Sequence, residues 1–209
     1  MEQKYMNYKS ARTETVIKKS RFLSFIKRTE SEEEAKAFIA DIKKEHKAAT
    51  HNCSAYIVGK SALIQKADDD GEPQGTAGVP ILEVLKKEEL YNVAVVVTRY
   101  YGGIKLGAGG LIRAYSQGAA SAVQEAGKAV EVPVVPLTVT LDYTFTSKFE
   151  HFLGTTDASI ISQDYTDKVS YVIHVKEKGA DDIVNTLREI TSNSFFYEAG
   201  DIIIAEEKV

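Results

Sequence analysis

The stretch RYYGGIKLGAGGLIRAY, residues 99–115, carries a predicted strand into a glycine-rich loop and then into a helix. The run VAVVV at 93–97 precedes it and is typical of a strand, and a helical pattern follows from about Ala108 to Ala126 and stops at Gly127. Glycine lets backbone N–H groups point into a concavity, and the start of a helix adds the positive end of its dipole. We therefore expect this loop to bind an anion.

Charge and aromatic content support the same interpretation. The 34 residues from Tyr91 to Gln124 contain no Asp or Glu, although the whole chain has a net charge of −4. Two adjacent tyrosines offer rings that could stack on a base, and alternation along a strand would face them in opposite directions. The predicted nucleic-acid- or phosphate-binding residues are Arg99, Tyr100, Tyr101, Gly102, Gly103, Lys105, Gly107, Gly109, Gly110 and Arg113. The alternative is that the glycines only turn the chain and let the helix pack on the sheet; neither a P-loop nor a dinucleotide pattern is matched.

A second candidate is the acidic segment DDDGEPQG, residues 68–75. Four carboxylates within five residues could hold Mg²⁺ through waters, but consecutive aspartates project in different directions. We therefore expect a solvated acidic turn rather than a metal site, and this turn could lie beside the glycine loop and adjust its charge. The predicted supporting residues are His51, Asp68, Asp69, Asp70, Glu72 and Gln74. We predict no catalytic residue and no cofactor, and a lone Cys53 entering a strand is more typical of a small buried residue than of a nucleophile.

The charge distribution divides the chain of 209 residues in two. Residues 1–130 carry 20 Lys and Arg against 16 Asp and Glu, whereas residues 131–209 carry 6 against 14. The segment EVPVVP at 131–136, with two prolines, lies where the balance changes sign and is predicted to be a linker. We predict two domains, residues 1–130 and 137–209.

Strand and helix patterns give each domain an α+β character. In the first domain Ser31 and Glu34 form a capping-box pattern that starts a helix ending near His46. The second domain has the order βαββαβ, which is a split βαβ, ferredoxin-like arrangement. Its predicted elements are strands at 137–143, 159–165, 168–175 and 201–205 and helices at 147–153 and 180–190.

Cysteine usage and the N-terminal segment bear on location. A single cysteine excludes an internal disulfide and is typical of a reducing compartment. The segment MEQKYMNYKSARTE is polar and charged, and it predicts neither a signal peptide nor a membrane-spanning helix. We expect a cytoplasmic protein without a membrane partner.

Three motifs together resemble a known family. ATHNCSAYIVG, DDDGEPQGTAGVPILEVL and NVAVVVTRYYGGIKLGAGGLIRAY, which span residues 49–115, resemble the IMPACT family, and most of all its bacterial branch of YigZ- and YvyE-like proteins. The resemblance implies that the N-terminal domain is similar to the second domain of ribosomal protein S-five. It implies that the C-terminal domain is ferredoxin-like and similar to a domain of the translocation elongation factor (elongation factor G).

The resemblance also implies a link to regulation of translation. Eukaryotic relatives bind the large activator of the amino-acid-starvation kinase, and they carry an RWD domain that has no match in this sequence. The leading hypothesis is therefore a non-enzymatic RNA- or ribosome-binding module. One alternative is an enzyme or binder that acts on a phosphorylated small molecule or nucleotide through the glycine-rich loop. The other is a protein-interaction module with a translation-control partner; the sequence leaves the oligomeric state open.

Overall fold

A computed structural model describes residues 3–209, and the chain forms two compact units. One unit runs to Val130 and includes Lys208 and Val209, and the other spans Glu131–Glu207. The strands are β1 (Met6–Asn7), β2 (Ala11–Ile17), β3 (Ser20–Arg28), β4 (His51–Val58), β5 (Ile64–Asp68), β6 (Val93–Tyr100), β7 (Lys128–Leu141), β8 (Ser159–Tyr165), β9 (Val169–Lys176), β10 (Phe195–Ala199) and β11 (Ile203–Lys208). The helices are α1 (Glu32–Glu45), α2 (Gly78–Lys87), α3 (Ala108–Ala126), α4 (Tyr143–Leu153) and α5 (Ala180–Thr191), and a short 3-10 turn at Glu177–Gly179 precedes α5. Among residues 3–209, no helix combines the length and the apolar character needed to cross a membrane.

The N-terminal unit is built on a five-stranded antiparallel sheet in the order β2-β3-β6-β4-β5. Successive residues of β6 alternate between its two faces: Val93, Val95 and Val97 pack with α2 and α3, while Ala94 and Val96 pack on the side of α1. The sheet is therefore the middle of three layers. Because β6 is covered on both faces, its sequence is apolar throughout rather than alternating.

Helix α1 begins as its capping-box pattern predicts. The Ser31 hydroxyl accepts a hydrogen bond from the Glu34 N–H at 3.1 Å, and the Glu34 carboxylate accepts one from the Glu30 N–H at 2.9 Å. The first bond satisfies a backbone donor that the first helical turn leaves free, and the second satisfies a donor just before the helix. The helix ends at Glu45, which fixes the position of the chain as it enters β4.

Helix α3 has the predicted bounds and lies unusually close to the sheet. A Cβ atom at Gly118 would stand 2.7 Å from the Ser24 hydroxyl oxygen and 3.2 Å from a methyl carbon of Val97. The absence of a side chain at Gly118 therefore sets the distance between helix and sheet. This close approach places the start of α3 beside the end of β6, where the glycine-rich loop joins them.

The C-terminal unit contains an antiparallel sheet in the order β10-β7-β9-β8. Alternate residues of β7 and β9 point to one face, where they pack against α4 and α5; they are Leu137, Val139, Leu141, Val169, Tyr171, Ile173 and Val175. Strand β10 was not predicted, because Phe195 packs in the core while both Phe196 and Tyr197 are exposed, so no apolar–polar alternation marks it. The last predicted strand, 201–205, corresponds in part to β11.

The residues predicted as a linker, 131–136, follow the boundary between the two units and belong to the continuous strand β7. Val134, Val135 and Pro136 pair with Lys176, Val175 and His174 of β9. Proline fixes φ near −65° and restricts the residue before it to extended conformations, both of which a strand accommodates. The two prolines therefore favour extended backbone here rather than an irregular connection.

We expect Gly118→Leu to destabilise the N-terminal unit, because the added side chain overlaps Ser24 and Val97. Overpacking of this kind costs about 1–3 kcal/mol. Calorimetry of the full chain should show a lower melting temperature for the N-terminal transition. Ala120→Leu, an exposed position on the same helix, is the matched control and should leave that transition almost unchanged. An equal loss in both variants would contradict the close packing at Gly118.

Candidate functional site

An open cleft of about 410 Å³ lies where β4, β6, the acidic turn and the start of α3 meet. Its walls come from four segments that are far apart in sequence. The lining residues are Thr50, His51, Glu72, Pro73, Arg99, Tyr101, Lys105, Leu106, Gly107, Ala108 and Leu111. The structure thus brings the two sequence candidates, the glycine-rich loop and the acidic turn, to one place.

The glycine-rich loop is shaped by steric and backbone requirements. A Cβ atom at Gly102 would collide with the backbone carbonyl of Lys19 in the β2–β3 turn. Gly107, the residue before α3, has φ +73°, a conformation that L side chains rarely adopt. Gly103 and Gly109 are exposed, and Gly110 packs beside Leu106. The glycines therefore turn the chain, as the structural alternative predicted, and they also leave the first turn of α3 open to solvent.

Arg99 does not present its charge to the cleft opening. Its guanidinium is buried and donates to the Glu72 carboxylate at 2.7 Å, and it lies 3.4 Å from the Ser20 hydroxyl. It also stacks over the rings of Phe22 and Tyr101. Glu72 already balances the charge of Arg99, and contact of Arg99 with a bound anion stays a prediction.

Glu72 is the centre of a hydrogen-bonded cluster at the floor of the cleft. Its Oε1 accepts from Arg99 and from the Tyr115 hydroxyl at 2.8 Å, and its Oε2 lies 3.8 Å from the Nε2 of His51. The Nδ1 of His51 is 2.9 Å from the carbonyl oxygen of Asp70. Burial raises the pKa of the Tyr115 phenol far above its usual range, so this hydroxyl acts as a donor to the carboxylate. The sequence patterns did not identify Tyr115 as a site residue. They show only that Tyr115 follows the glycine-rich loop and lies on α3.

The remaining acidic side chains of the turn have internal partners. Lys43 contacts Asp68 at 3.1 Å and Asp70 at 2.6 Å, and Asp70 also accepts from the Asn52 N–H. Burial alone would raise the pKa of Asp68, but the Asp70 N–H and the Lys43 ammonium outweigh it and hold this pKa below its usual value. Lys43 and Arg99 together offset two of the four carboxylate charges of the turn, and every one of these carboxylates has an internal partner.

Asp69 has a structural role at the start of α2. Its carboxylate accepts hydrogen bonds from the N–H groups of Gly75, Ala77 and Gly78 at 2.8–3.0 Å. Ala77 precedes α2 and has no side chain that could cap it, so Asp69 satisfies these donors from outside the helix. Within residues 3–209, no three His, Cys, Asp or Glu side chains are grouped so that they could hold a metal ion.

The two tyrosines point in opposite directions, as strand alternation predicts. The Tyr100 hydroxyl lies 2.9 Å from the Nδ1 of His46 on the side of α1, away from the cleft. Tyr101 lines the cleft and is 45% exposed. Of the two rings, it is therefore Tyr101 that can meet a ligand there.

Two of the three predicted cations are available at the surface. Lys105 is exposed and lines the cleft. Arg113 is exposed on α3, and its Nη1 stands 3.7 Å from the position a Gly109 Cβ would take, so it lies over the first turn of that helix. Gln74 is exposed at the tip of the acidic turn and is not among the lining residues. Lys105 and the helix start thus line one side of the cleft, whereas Arg113 lies over the first turn of α3 and is not among the lining residues.

Cys53 lies behind the cleft floor and is fully buried. Its thiol donates to the carbonyl oxygen of Asp69 at 3.0 Å. Burial raises the pKa of this thiol far above its usual range, and the nearby carboxylate of Glu72 adds to the effect. Cys53 is therefore an unreactive core residue.

The fold and the cleft define a two-domain protein of mixed α and β structure, with its candidate site at a strand–glycine loop–helix junction in the first domain. A family model of the Impact N-terminal domain matches residues 18–123, and a model of a domain of unknown function (DUF1949) matches residues 139–194. The chain belongs to the IMPACT family.

Individual relatives agree with this assignment. The chain is 43% identical over 196 residues to the IMPACT family member YvyE of Bacillus subtilis, covering 94% of this chain and 90% of that protein. It is 40% identical over 151 residues to the IMPACT family member YigZ of Escherichia coli, covering 71% and 74%. A crystal structure of a hypothetical protein is similar with a TM-score of 0.60 and 32% identity, covering 96% of this chain and 98% of that one.

We expect Cys53 to resist alkylation in the folded protein. Because its thiol is buried and its pKa is raised, iodoacetamide at pH 8 should modify it only after unfolding in urea. Mass spectrometry of the intact chain, before and after denaturation, measures the difference. Rapid modification of the native protein would show that Cys53 is accessible and would contradict its placement.

We expect Glu72→Ala to destabilise the N-terminal unit strongly, because it leaves the Arg99 charge buried without a partner. Removal of one member of a buried pair costs about 3–5 kcal/mol. Native-state hydrogen exchange of the β6 amides in the full chain measures this unit separately from the other. The double variant Glu72→Leu/Arg99→Met should recover part of the lost protection. If the losses of protection caused by Glu72→Leu and by Arg99→Met alone add up to the loss in the double variant, the two residues are not coupled.

Proposed function

We propose that this protein is a non-enzymatic RNA- or ribosome-binding module linked to regulation of translation, and that the cleft binds the phosphate and base of one nucleotide. The observation that carries the proposal is a single cleft that combines the exposed Tyr101 ring, the Lys105 ammonium and the open first turn of α3. Phosphate contacts of this kind provide affinity, and an unstacked base provides a partner for an aromatic ring.

The phosphate subsite is the start of α3. This helix has 19 residues, Gly107 precedes it without a capping side chain, and its first turn carries no acidic residue. The free N–H groups of that turn and the helix dipole favour an anion, and Lys105 and Arg113 lie at the same end. A phosphate placed there would receive backbone hydrogen bonds and the attraction of two cations.

The base subsite is the ring of Tyr101. The Arg99 guanidinium lies 5.3 Å from its ring centroid, and the Tyr101 N–H donates to the Thr50 hydroxyl at 3.0 Å. Both contacts hold this residue in place before a ligand binds, which lowers the entropy cost of binding. Arg99 offsets the charge of Glu72, and Lys43 offsets one of the two charges of Asp68 and Asp70, which lowers the repulsion of a phosphate.

We also propose a more specific fold for each of the two units. We infer that the N-terminal unit is similar to the second domain of ribosomal protein S-five. We infer that the C-terminal unit is ferredoxin-like, like a domain of the translocation elongation factor. The order β10-β7-β9-β8, with α4 and α5 on one face, supports the second inference. Both folds occur on the ribosome. We therefore propose that this is a cytoplasmic protein with a ribosomal or translation-control partner.

A second candidate is a binder of a free phosphorylated small molecule or nucleotide. The cleft volume of about 410 Å³ favours it, because small-molecule sites commonly occupy about 300–1,000 Å³. Competition by mononucleotides against RNA separates the two candidates, since a cleft built for a free nucleotide should prefer the nucleotide.

Fluorescence anisotropy with a labelled single-stranded RNA of about a dozen nucleotides tests the proposal. Lys105→Glu/Arg113→Glu should weaken binding at least tenfold and flatten the salt dependence, because each lost phosphate contact reduces the slope of log K against log salt by about 0.7. Tyr101→Ala should weaken binding about tenfold without changing that slope, because stacking is worth about 1–3 kcal/mol per base.

The matched control is Lys47→Glu/Lys87→Glu, which makes the same charge change at exposed positions outside the cleft. This variant should bind RNA nearly as the unaltered protein does. The proposal fails if the control weakens binding as much as the cleft variant, or if Tyr101→Ala has no effect. All variants must show the circular dichroism spectrum of the unaltered protein.

A further inference from the structure

The second face of the C-terminal sheet is open. Residues that alternate with the core positions of β7 and β9 point away from α4 and α5 and are partly exposed, namely Thr138, Thr140, Ser170 and Val172. On the outer strands the corresponding positions are fully exposed, with Asp164 on β8 and Phe196 and Glu198 on β10. We refer to these seven residues as the open face.

The centre of the open face is neutral and nearly flat. The hydroxyl oxygens of Thr140 and Ser170 lie 2.9 Å apart and hydrogen-bond to each other across β7 and β9. Val172 and Thr138 form the next cross-strand pair. Because these two hydroxyls share a hydrogen bond and the side chains are small, another element could pack here at a low desolvation cost.

The rim of the open face is acidic. Neither Asp164 nor Glu198 forms an ion pair with any of residues 3–209, whereas Asp157 and Glu207 of the same unit share Lys176. The surrounding sequence, residues 131–209, carries 14 Asp and Glu against 6 Lys and Arg. Unpaired carboxylates on a neutral surface in an acidic unit attract a cationic partner and repel both nucleic acid and a second copy of this face.

The register of the sheet fixes the spacing of the two carboxylates. Asp164 pairs with Ser170, Ser170 with Thr140, and Thr140 with Phe196, which is two residues before Glu198. Three strand intervals of about 4.8 Å and an offset of two residues along the strand separate the Cα atoms by about 16 Å. On an α-helix, side chains eleven residues apart lie on nearly the same face and about 16 Å from each other.

We propose that the open face docks an α-helix of a partner protein that carries two Lys or Arg side chains eleven residues apart, one for Asp164 and one for Glu198. Small residues of the helix between them would pack on Thr140 and Val172, and the exposed Phe196 would cover one side. This inference is independent of RNA binding at the cleft, which lies in the other unit.

Two synthetic helical peptides of identical Ala, Gln and Lys composition test it. In one peptide the two lysines are eleven residues apart, and in the other they are five residues apart, which places them on different sides of the helix. Each is titrated into the ¹⁵N-labelled full chain at low salt and observed by NMR. The first peptide should shift the amide signals of Thr138, Thr140 and Val172 and bind at least fivefold more tightly than the second.

The matched variants separate the open face from general charge. Asp164→Lys/Glu198→Lys should abolish these shifts, whereas Asp181→Lys/Glu189→Lys, which makes the same charge change on exposed positions of α5, should retain them. The proposal is overturned if both peptides bind equally, if neither binds, or if the α5 variant loses binding to the same extent. It is also overturned if the open-face signals respond to RNA, or to dilution of the protein alone, instead of to the first peptide.

Discussion

The ion pair between Glu72 and Arg99 is the contact on which the candidate site depends. It joins the acidic turn to the end of β6, and the Tyr115 hydroxyl ties α3 to the same carboxylate oxygen. Both charged groups are buried, so loss of either one leaves the other charge buried without compensation, which is strongly destabilising. A buried pair of this kind adds little net stability compared with apolar residues, but it specifies geometry. In this protein it fixes the separation between the two sides of the cleft.

Internal contacts of the acidic turn also affect the electrostatic field in the cleft. The turn DDDGEPQG is strongly acidic in the sequence, yet each of its carboxylates has an internal partner: Asp69 caps α2, Asp68 and Asp70 share Lys43, and Glu72 pairs with Arg99. Lys43 and Arg99 offset two of these four charges, and Lys105, Arg113 and the start of α3 add positive potential on the side of the glycine-rich loop. Local charge counts in a sequence overestimate the field wherever side chains act as caps or ion-pair partners.

Local patterns predicted much of the fold, and long-range contacts account for the rest. The bounds of α3, the Ser31 cap and the opposite orientation of Tyr100 and Tyr101 follow from residues within one helical turn or one strand period. The burial of Arg99 could not be predicted, because its partner is 27 residues away and on another element. Strand β10 and the extended segment at 131–136 were not predicted for a related reason. Pairing with β7 determines β10, and pairing with β9 determines the extended segment. The sequence of β10 does not alternate between apolar and polar residues, and the segment contains prolines, which are typical of turns.

The two units differ in whether the carboxylates at the proposed binding surfaces have internal partners. In the N-terminal unit the carboxylates near the cleft have internal partners, and the proposed phosphate site relies on Lys105, Arg113 and the start of α3. On the open face of the C-terminal unit, Asp164 and Glu198 have no ion-pair partner among residues 3–209, which leaves a surface suited to cations. At physiological ionic strength the Debye length is about 8 Å, so each surface acts on ligands in its immediate neighbourhood and not across a whole unit. The proposed phosphate site and the proposed docking face are therefore compatible in a single chain of net charge −4, and the overall charge predicts neither.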